Sequence, residues 1–390
     1  MVYDFDKRVV RRGTGCVKYD ALKDVYGYSD MIPLWVADMD FETPDFIVEA
    51  LRKRLDHPVF GYPCEHSDFR SSIVGWQKRH NGWDIDPSWI SFIPGIVKGL
   101  GMAVNVFTSP GDKIIIQPPV YHPFRIVPQE NGREIVWNPL RLTDEGYEMD
   151  FEHLESVIDE KCRLLIMSNP HNPAGIAWTE DTLRRLAEIC HRHGVIVVSD
   201  EIHSDMPLFG HHHVPFATVS DEARCNSITF AAPSKTFNIA GIIASYCVIP
   251  DESLRQKFFS WLKANEMDAM GIFPPVATVA AYTYGDEWLD QMLRYVEGNV
   301  RFVESFCRER LYGIRPFIPQ ASFLVWLDCR GLGLSHDELV SLFVDKARLA
   351  LNDGAMFGPG GEGFMRLNVG TSRTVLEEAF LSLEKALGSI

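Results

Sequence analysis

Three apolar segments of this chain run directly into polar residues, and helical or loop sequence separates them. The segments are LLIMSNPHNPAG (164–175), VIVVSDEIHSD (195–205) and ITFAAPSKTFNIAG (228–241). Their polar residues Asn172, Asp200 and Lys235 are 28 and 35 residues apart (200−172 and 235−200), about the length of a strand–crossover–strand unit, roughly 30 residues or more. The pattern predicts an α/β fold in which an amide, a carboxylate and an amine meet at the carboxyl edge of one sheet, where such sheets bind ligands.

The three polar residues together point to a cofactor. Alone, Lys235 would be interpreted as a solvated surface residue, as most lysines are. Pyridoxal phosphate needs a lysine for its Schiff base, an acid opposite its pyridine nitrogen, a donor to its phenolic oxygen and a phosphate cradle. Asp200 is the predicted acid because it follows four apolar β-formers, and a buried carboxylate stays ionised only beside a cation. Asn172 is predicted to face the phenolic oxygen, and Glu201 to support the fold through hydrogen bonds.

Longer blocks around these residues resemble a known family. The blocks that resemble fold-type I pyridoxal-phosphate enzymes, the class I/II aminotransferase superfamily, are NPHNPAG (169–175), SDEIH (199–203) and SKTFNIAG (234–241). Within that superfamily, PLWVADMDF (33–41), SDEIHSDM (199–206) and SKTFN (234–238) resemble the cystathionine β-lyase (MalY/PatB) branch. The resemblance extends over nearly the whole chain, from Val2 to the C-terminal helix.

The resemblance implies a large domain with a mostly parallel seven-stranded sheet between helices and a smaller α+β domain. We assign residues 46–285 to the large pyridoxal-phosphate domain and 286–390 to the small C-terminal domain. Residues 1–45 are predicted to form an N-terminal arm and part of the small domain. A length of 390 residues agrees with two domains, since roughly 150 residues per domain is a usual guide.

A second set of residues is predicted to bind the cofactor phosphate. Pro94-Gly95 opens a helix, and the exposed amides of Gly95, Ile96 and Val97 would form an anion site. Ser234 would add a hydroxyl donor. In the resembled family, the residue matching Tyr62 reaches the cofactor phosphate of the neighbouring subunit, which implies a homodimer with shared active sites.

Tyr121 follows a strand and is assigned to stacking on the pyridine ring, as its counterpart does in the resembled family; simple packing is the alternative.

Three other positions depart from aminotransferase patterns. Two of them are Ala232 and Ile243, which stand where many relatives have a phosphate-binding Ser and a phosphate-binding Arg. His203 stands where most have a Tyr that bonds the phenolic oxygen. Histidine there is typical of the C–S lyase branch, so it favours a lyase, and we place His203 in the cofactor pocket.

The substrate site is predicted from Arg366 in the segment FMRLNVG (364–370). Its planar guanidinium can bind an α-carboxylate bidentately; a structural salt bridge is the alternative. Asn368 is predicted to orient Arg366, and Asp38 and Tyr62 are also assigned to the substrate site.

These assignments imply β-elimination on sulfur amino acids. L-cystathionine or L-cysteine would give pyruvate, ammonia and a thiol or sulfide, with Lys235 as general base, and Asp200 and Tyr121 would also act in catalysis. Two alternatives remain open. An amino-acid aminotransferase shares every step up to loss of the Cα proton, and a regulatory protein could retain the fold and cofactor without turnover.

The net charge, the apolar runs and the cysteine pattern of the sequence argue against several other classes of protein. The net charge of −15 argues against a nucleic-acid partner, which needs clustered Lys and Arg. Neither a leader segment nor an apolar run of about 18 residues is present in the sequence, so we predict a cytoplasmic protein without membrane contact. The eight cysteines form no C-x-x-C pair, and we interpret His211-His212-His213 as a solvated loop and predict no metal site.

Overall fold

The N-terminal part of the chain forms short elements before the first long helices. In this computed structural model, which describes residues 2–65, 67–144 and 146–388, these elements are α1 (Val17–Asp20), α2 (Leu22–Tyr26), β1 (Ile32–Pro33), α3 (Asp45–Leu55) and α4 (Ser67–Asn81). Pro44 is the N-cap of α3, one position before the first helical turn. Its missing N–H costs nothing there because a helix leaves its first amides unpaired.

The middle of the chain alternates strands with helices. The elements in chain order are β2 (Ile90–Ile93), α5 (Ile96–Phe107), β3 (Lys113–Ile116), α6 (Pro123–Glu130), β4 (Glu134–Trp137), β5 (Arg141–Thr143), β6 (Gly146–Glu148), α7 (Phe151–Val157), β7 (Cys162–Ser168), α8 (Glu180–Arg192), β8 (Ile196–Asp200), α9 (Asp221–Cys225), β9 (Ser227–Ala231), β10 (Ser245–Val248), α10 (Glu252–Ala264) and α11 (Phe273–Tyr284). Local signals set the helix ends. The Thr179 hydroxyl accepts the N–H of Thr182 at 3.2 Å at the start of α8, and Gly194 adopts φ 67° after its end.

Seven of these strands form one sheet in the order β2-β10-β9-β8-β7-β3-β4. The strands from β9 to β4 pair in parallel, whereas β10 is antiparallel to both of its neighbours. Successive side chains point to opposite faces: Leu164 and Ile166 pack with apolar residues of α5, and Leu165 and Met167 pack with those of α8. Both faces are therefore covered by helices, and the predicted mostly parallel seven-stranded sheet is confirmed.

The register of this sheet brings the three predicted polar residues to one edge. Ser168 of β7 pairs with Asp200 of β8, and Asp200 pairs with Phe230 of β9. Asn172 and Lys235 follow their strands within a few residues. Because the three strands are parallel and end at the same level, the turns after them meet at the carboxyl edge of the sheet.

The C-terminal part forms a smaller α+β unit. Its elements are α12 (Asp286–Arg310), β11 (Arg315–Phe317), β12 (Leu324–Asp328), α13 (His336–Ser341) continued by a π-helical turn (Leu342–Lys346), β13 (Leu349–Ala350), β14 (Asn352–Asp353), β15 (Phe364–Asn368) and α14 (Arg373–Leu387). An antiparallel sheet has the order β11-β12-β15-β14, and β1 pairs in parallel with β13. N-terminal residues thus join this unit, while the domain boundaries at 45/46 and 285/286 stay predictions. Among the helices of the described chain, none has the length and apolar character needed to cross a membrane.

Candidate active site

A cavity of about 290 Å³ lies at the carboxyl edge of the large sheet. The predicted cofactor residues that line it are Gly95, Ile96, Val97, Tyr121, Asn172, Asp200, His203, Ser234 and Lys235. Other lining residues, not predicted from the sequence, include Ala37, Lys98, Ser168, Ala240 and Ser245. Polar groups from six separate parts of the chain therefore converge on one cavity.

Lys235 contributes a buried amine to this cavity. Its Nζ donates a hydrogen bond to the backbone oxygen of Ala37 at 2.5 Å. Burial lowers the pKa of Lys235, and the charge of Arg366 acts in the same direction. The carboxylates of Asp38 and Asp200 oppose this effect, and the resulting pKa is about 8. An amine with this pKa is partly neutral near neutral pH, as a nucleophile or general base must be.

The carboxylate of Asp200 lies in the same cavity and is 5% exposed. It accepts the backbone N–H of Ile202 at 3.2 Å. Burial raises the pKa of Asp200 to about 7, and neighbouring Glu201 adds to the rise, although the Ile202 amide and the Lys235 charge act in the other direction. A cation placed against this carboxylate would hold it ionised.

Glu201, the neighbour of Asp200, has the structural role predicted for it. Its Oε1 accepts the Ser199 hydroxyl and the Phe216 N–H, both at 2.9 Å, and its Oε2 lies 2.9 Å from Nε2 of His213. His213 is 8% exposed. The interpretation of residues 211–213 as a solvated loop is therefore wrong for His213, which is buried against the Glu201 carboxylate.

Tyr121 and His203 form further parts of the cavity wall. Burial raises the pKa of Tyr121, which keeps the phenol neutral. The Nδ1 of His203 lies 3.0 Å from the Ser322 hydroxyl. Burial, followed by the charges of Lys235 and Arg366, lowers the pKa of His203 to about 3, so the imidazole is a neutral polar group and not a cation.

The start of α5 forms another end of the cavity. Gly95 has φ 110°, a conformation that favours glycine. Its N–H donates to the Ile93 oxygen at 2.9 Å. This amide is therefore already hydrogen-bonded within the turn, whereas the sequence predicts that it donates to the phosphate. The amides of Ile96 and Val97 follow at a helix start that no side chain among the described residues caps. Lys98, missed from the sequence, adds a cation, and its place in the first turn of a helix that is predicted to bind an anion could have indicated it.

Arg366 lies in β15 and is 4% exposed; it does not itself line the cavity, but it contacts Asn172, which does. Its Nη1 donates to Oδ1 of Asn172 at 2.9 Å, and its Nη2 donates to the Trp35 oxygen at 3.0 Å and to Oδ1 of Asn352 at 2.5 Å. All three acceptors are neutral, and Nε has no hydrogen-bond partner among the described residues. Burial lowers the pKa of Arg366 to about 10. A buried guanidinium without a carboxylate partner suits an anionic ligand.

The other predicted substrate residues lie elsewhere. The amide nitrogen of Asn368 donates to the oxygens of Val36 and Asp38 at 2.7 and 2.6 Å, so it binds the backbone of that segment. The Asp38 carboxylate accepts hydrogen bonds from both terminal nitrogens of Arg11, at 3.0 and 2.7 Å. Asp38 is not among the residues that line the cavity. Tyr62 is fully exposed and also lies outside the cavity wall.

Comparison with known proteins shows the family of this chain. The family model for class I and II aminotransferases matches residues 29–383. The chain belongs to this family.

It is 46% identical to the Bacillus subtilis cystathionine beta-lyase PatB over 98% of this chain and all of that protein. Cystalysin from Treponema denticola, solved with pyridoxal 5′-phosphate, superposes with a TM-score of 0.96 and 32% identity over the full length of both chains. A pyridoxal-phosphate-bound C–S lyase from Staphylococcus hominis gives 0.91 and 31%, covering 99% of this chain and 98% of that one. The predicted family is confirmed.

The cavity of this family member fits the predicted cofactor. Its donor set combines a buried amine of lowered pKa, a buried acid of raised pKa and an uncapped helix start. These are the groups that pyridoxal phosphate requires for its aldehyde, its ring nitrogen and its phosphate. The side chains and amides that would hold it are those of Lys235, Asp200, Asn172, Tyr121, His203, Ser234, Ile96 and Val97.

Proposed function

We propose that this chain is a pyridoxal-phosphate-dependent C–S lyase. It converts L-cystathionine or L-cysteine to pyruvate, ammonia and a thiol or sulfide. The observation that carries the proposal is the 46% identity over 98% of the chain to a protein named cystathionine beta-lyase, together with a cavity that holds the matching chemical groups. When bound, pyridoxal phosphate supplies an electron sink for the pair released at the substrate Cα.

Arg366 binds the substrate α-carboxylate in this proposal. Its guanidinium already has a fixed orientation, because Asn172, Trp35 and Asn352 accept its terminal hydrogens. The unpartnered Nε and the buried, uncompensated charge favour a carboxylate at this position. Fixing the carboxylate orients the Cα–H bond toward the amine of Lys235, and orientation of this kind contributes several kcal/mol, up to about 7–11 in favourable cases.

Lys235 acts as the general base. Its pKa of about 8 leaves a fraction of the amine neutral, so it can accept the Cα proton. The β-thiolate then departs from Cβ, and the ammonium of Lys235 returns a proton to it. Addition of water and loss of ammonia complete the conversion to pyruvate. Asp200 stays ionised throughout when a protonated ring nitrogen faces it.

Incubation of the purified holoenzyme with L-cystathionine separates the three functions. A lyase releases pyruvate and homocysteine in equal amounts with no added oxo acid. An aminotransferase instead requires an oxo-acid acceptor and releases no thiol, and a regulatory binding protein gives neither product. We expect stoichiometric pyruvate and thiol without an acceptor; transfer that depends strictly on an oxo acid would contradict the lyase assignment.

We also propose that the chain forms a homodimer in the cytoplasm. Tyr62 supports this assembly: its ring is fully exposed and lies in residues 56–65, which form neither helix nor strand after α3. The resemblance described above assigns this position to the partner's cofactor phosphate. Light scattering should give about twice the 44.3 kDa chain mass, and a mass equal to one chain would contradict the shared site.

A further inference from the structure

The segment 35–41, sequence WVADMDF, contacts both cations to which the proposed function assigns a role, Lys235 and Arg366. The Lys235 amine donates to the Ala37 oxygen at 2.5 Å, and Arg366 donates to the Trp35 oxygen at 3.0 Å. These two carbonyls are two residues apart. The position of this segment therefore sets where the free amine of Lys235 lies relative to the group that binds the substrate carboxylate.

Side chains hold this segment, which is neither helix nor strand. From one side, Asn368 donates to the oxygens of Val36 and Asp38. From the other side, Asn238, three residues after Lys235, donates to the oxygens of Met39 and Phe41 at 2.9 and 2.7 Å. The segment lacks the repeated backbone pairing of a regular element, so its geometry depends on these contacts.

A third set of contacts comes from the N-terminal arm. Arg11 binds Asp38 through both terminal nitrogens, at 3.0 and 2.7 Å, the Met39 oxygen at 3.1 Å and Oδ1 of Asp40 at 2.8 Å. Lys18 is fully buried and donates to Oδ2 of Asp40 at 3.0 Å and to the Asp38 oxygen at 3.2 Å. Two cations thus compensate two carboxylates directly beside Ala37.

We propose that Arg11 is a positioning residue for Lys235. By binding the Asp38 carboxylate and the Met39 backbone, it fixes the Ala37 carbonyl that accepts the Lys235 amine, and it neutralises the carboxylate next to that carbonyl. Arg11 itself does not line the cavity. This role deepens the proposed lyase function and rests on it, because it concerns the amine that removes the Cα proton.

Removing the Arg11 charge has a definite electrostatic sign. Burial lowers the pKa of Lys235, and the charges of Asp38, Arg366 and Asp200 also act on it. The Lys235 charge in turn lowers the pKa of His203. Asp38 already favours the ammonium form of Lys235. Without Arg11, Lys18 still pairs with Asp38 and Asp40, and the neutral phenol of Tyr19 lies beside Asp40. The other charged residues that line the same pocket as Asp38 and Asp40 are Glu42, Asp45, Glu49 and Arg52. The ammonium form becomes more stable, so a higher pH is needed to obtain the neutral base.

The sequence offers a matched control in the adjacent residue, Arg12. The guanidinium carbons of Arg11 and Arg12 lie 5.5 and 5.8 Å from the ring centre of Tyr19. Arg12 also donates to backbone oxygens, but to those of Ser29 and Met31 at 2.7 and 3.2 Å. The two arginines share the arm, the stacking partner and the charge, and only Arg11 contacts segment 35–41.

The test compares wild-type, Arg11→Gln, Arg11→Lys and Arg12→Gln holoenzymes. For Arg11→Gln we expect kcat on L-cystathionine to fall about tenfold or more with a smaller change in KM. The acid limb of kcat, and the pH midpoint of the visible absorbance of the bound cofactor, should move to higher pH by roughly half a unit or more. Arg11→Lys should return the midpoint toward wild type because it keeps the charge, and Arg12→Gln should match wild type.

Two results would overturn the role of Arg11: an Arg11→Gln enzyme with wild-type kcat and midpoint, or the same changes in Arg12→Gln. If Arg11→Gln fails to fold, Arg11→Lys decides. It cannot reproduce the two-pronged contact with Asp38, so a lowered kcat in a folded protein supports the role and an unchanged kcat contradicts it. Failure of the lyase function would appear separately, as absence of pyruvate from the wild-type enzyme, while the absorbance midpoints would still test Arg11.

Discussion

Replacing Lys235 with alanine should lower pyruvate release from L-cystathionine by at least about 10³-fold. The variant loses the general base, worth about 10²–10⁴-fold alone, and the amine that tethers the cofactor. A methyl group replaces the side chain whose Nζ donates to the Ala37 oxygen at 2.5 Å, so the variant has no amine at that point. Pyruvate assays with saturating cofactor and the visible spectrum of the reconstituted protein measure both losses.

Two variants control for this result. Lys263→Ala removes an exposed lysine at the end of α10 and should retain wild-type turnover. Lys235→Arg keeps a positive charge beside Asp200 but cannot form the covalent link, so it should be as inactive as Lys235→Ala. Activity of Lys235→Ala within tenfold of wild type, or an unaltered visible spectrum, would refute the assignment of this lysine.

Replacing Arg366 with alanine should raise KM for L-cystathionine by about 10²-fold or more, with a smaller loss of kcat. Each charge-assisted hydrogen bond to a carboxylate contributes about 1.5–3 kcal/mol, and two such bonds correspond to a loss in affinity of this size. Steady-state kinetics on the cofactor-loaded variant measures the change. Arg366→Lys retains the charge without the planar fork and should recover only part of the affinity.

Arg330→Ala is the control for charge and fold. Arg330 also lies in the C-terminal unit and pairs with Asp328 at 2.8 Å, but it does not line the cofactor cavity. Its loss should leave KM unchanged. Wild-type KM in Arg366→Ala, with the cofactor spectrum intact, would remove Arg366 from the substrate site and leave it as a structural residue that binds Asn172 and Trp35.

The sheet and the central trio could be predicted because they depend on local pattern. An apolar strand followed by a polar turn is visible in one sequence, and parallel strands connected at about 30-residue spacing have a single common carboxyl edge. The register then follows from burial: Asp200 pairs with Ser168 and Phe230, so the three turns coincide in space. Lys235, Asp200 and Asn172 needed no long-range information.

The contacts of segment 35–41 could not be predicted in the same way. Arg11 and Asp38 are separated by 27 residues, and Asn368 and Asp38 by 330, with no periodic pattern linking either pair. From sequence alone, a polar side chain on a strand could contact either the substrate or another part of the backbone. The Asn368 amide nitrogen donates to the backbone oxygens of Val36 and Asp38. The burial of His213 could not be predicted for a similar reason, since its partner Glu201 comes from another turn of the chain.

The most direct test of the account is to locate the covalent link between the cofactor and the protein. Borohydride reduction of the holoenzyme makes this link permanent, and peptide mass spectrometry then identifies the modified lysine. The account predicts that the added mass of the cofactor is found on the peptide that contains Lys235. Modification of a different lysine such as Lys98, or of none, would contradict it.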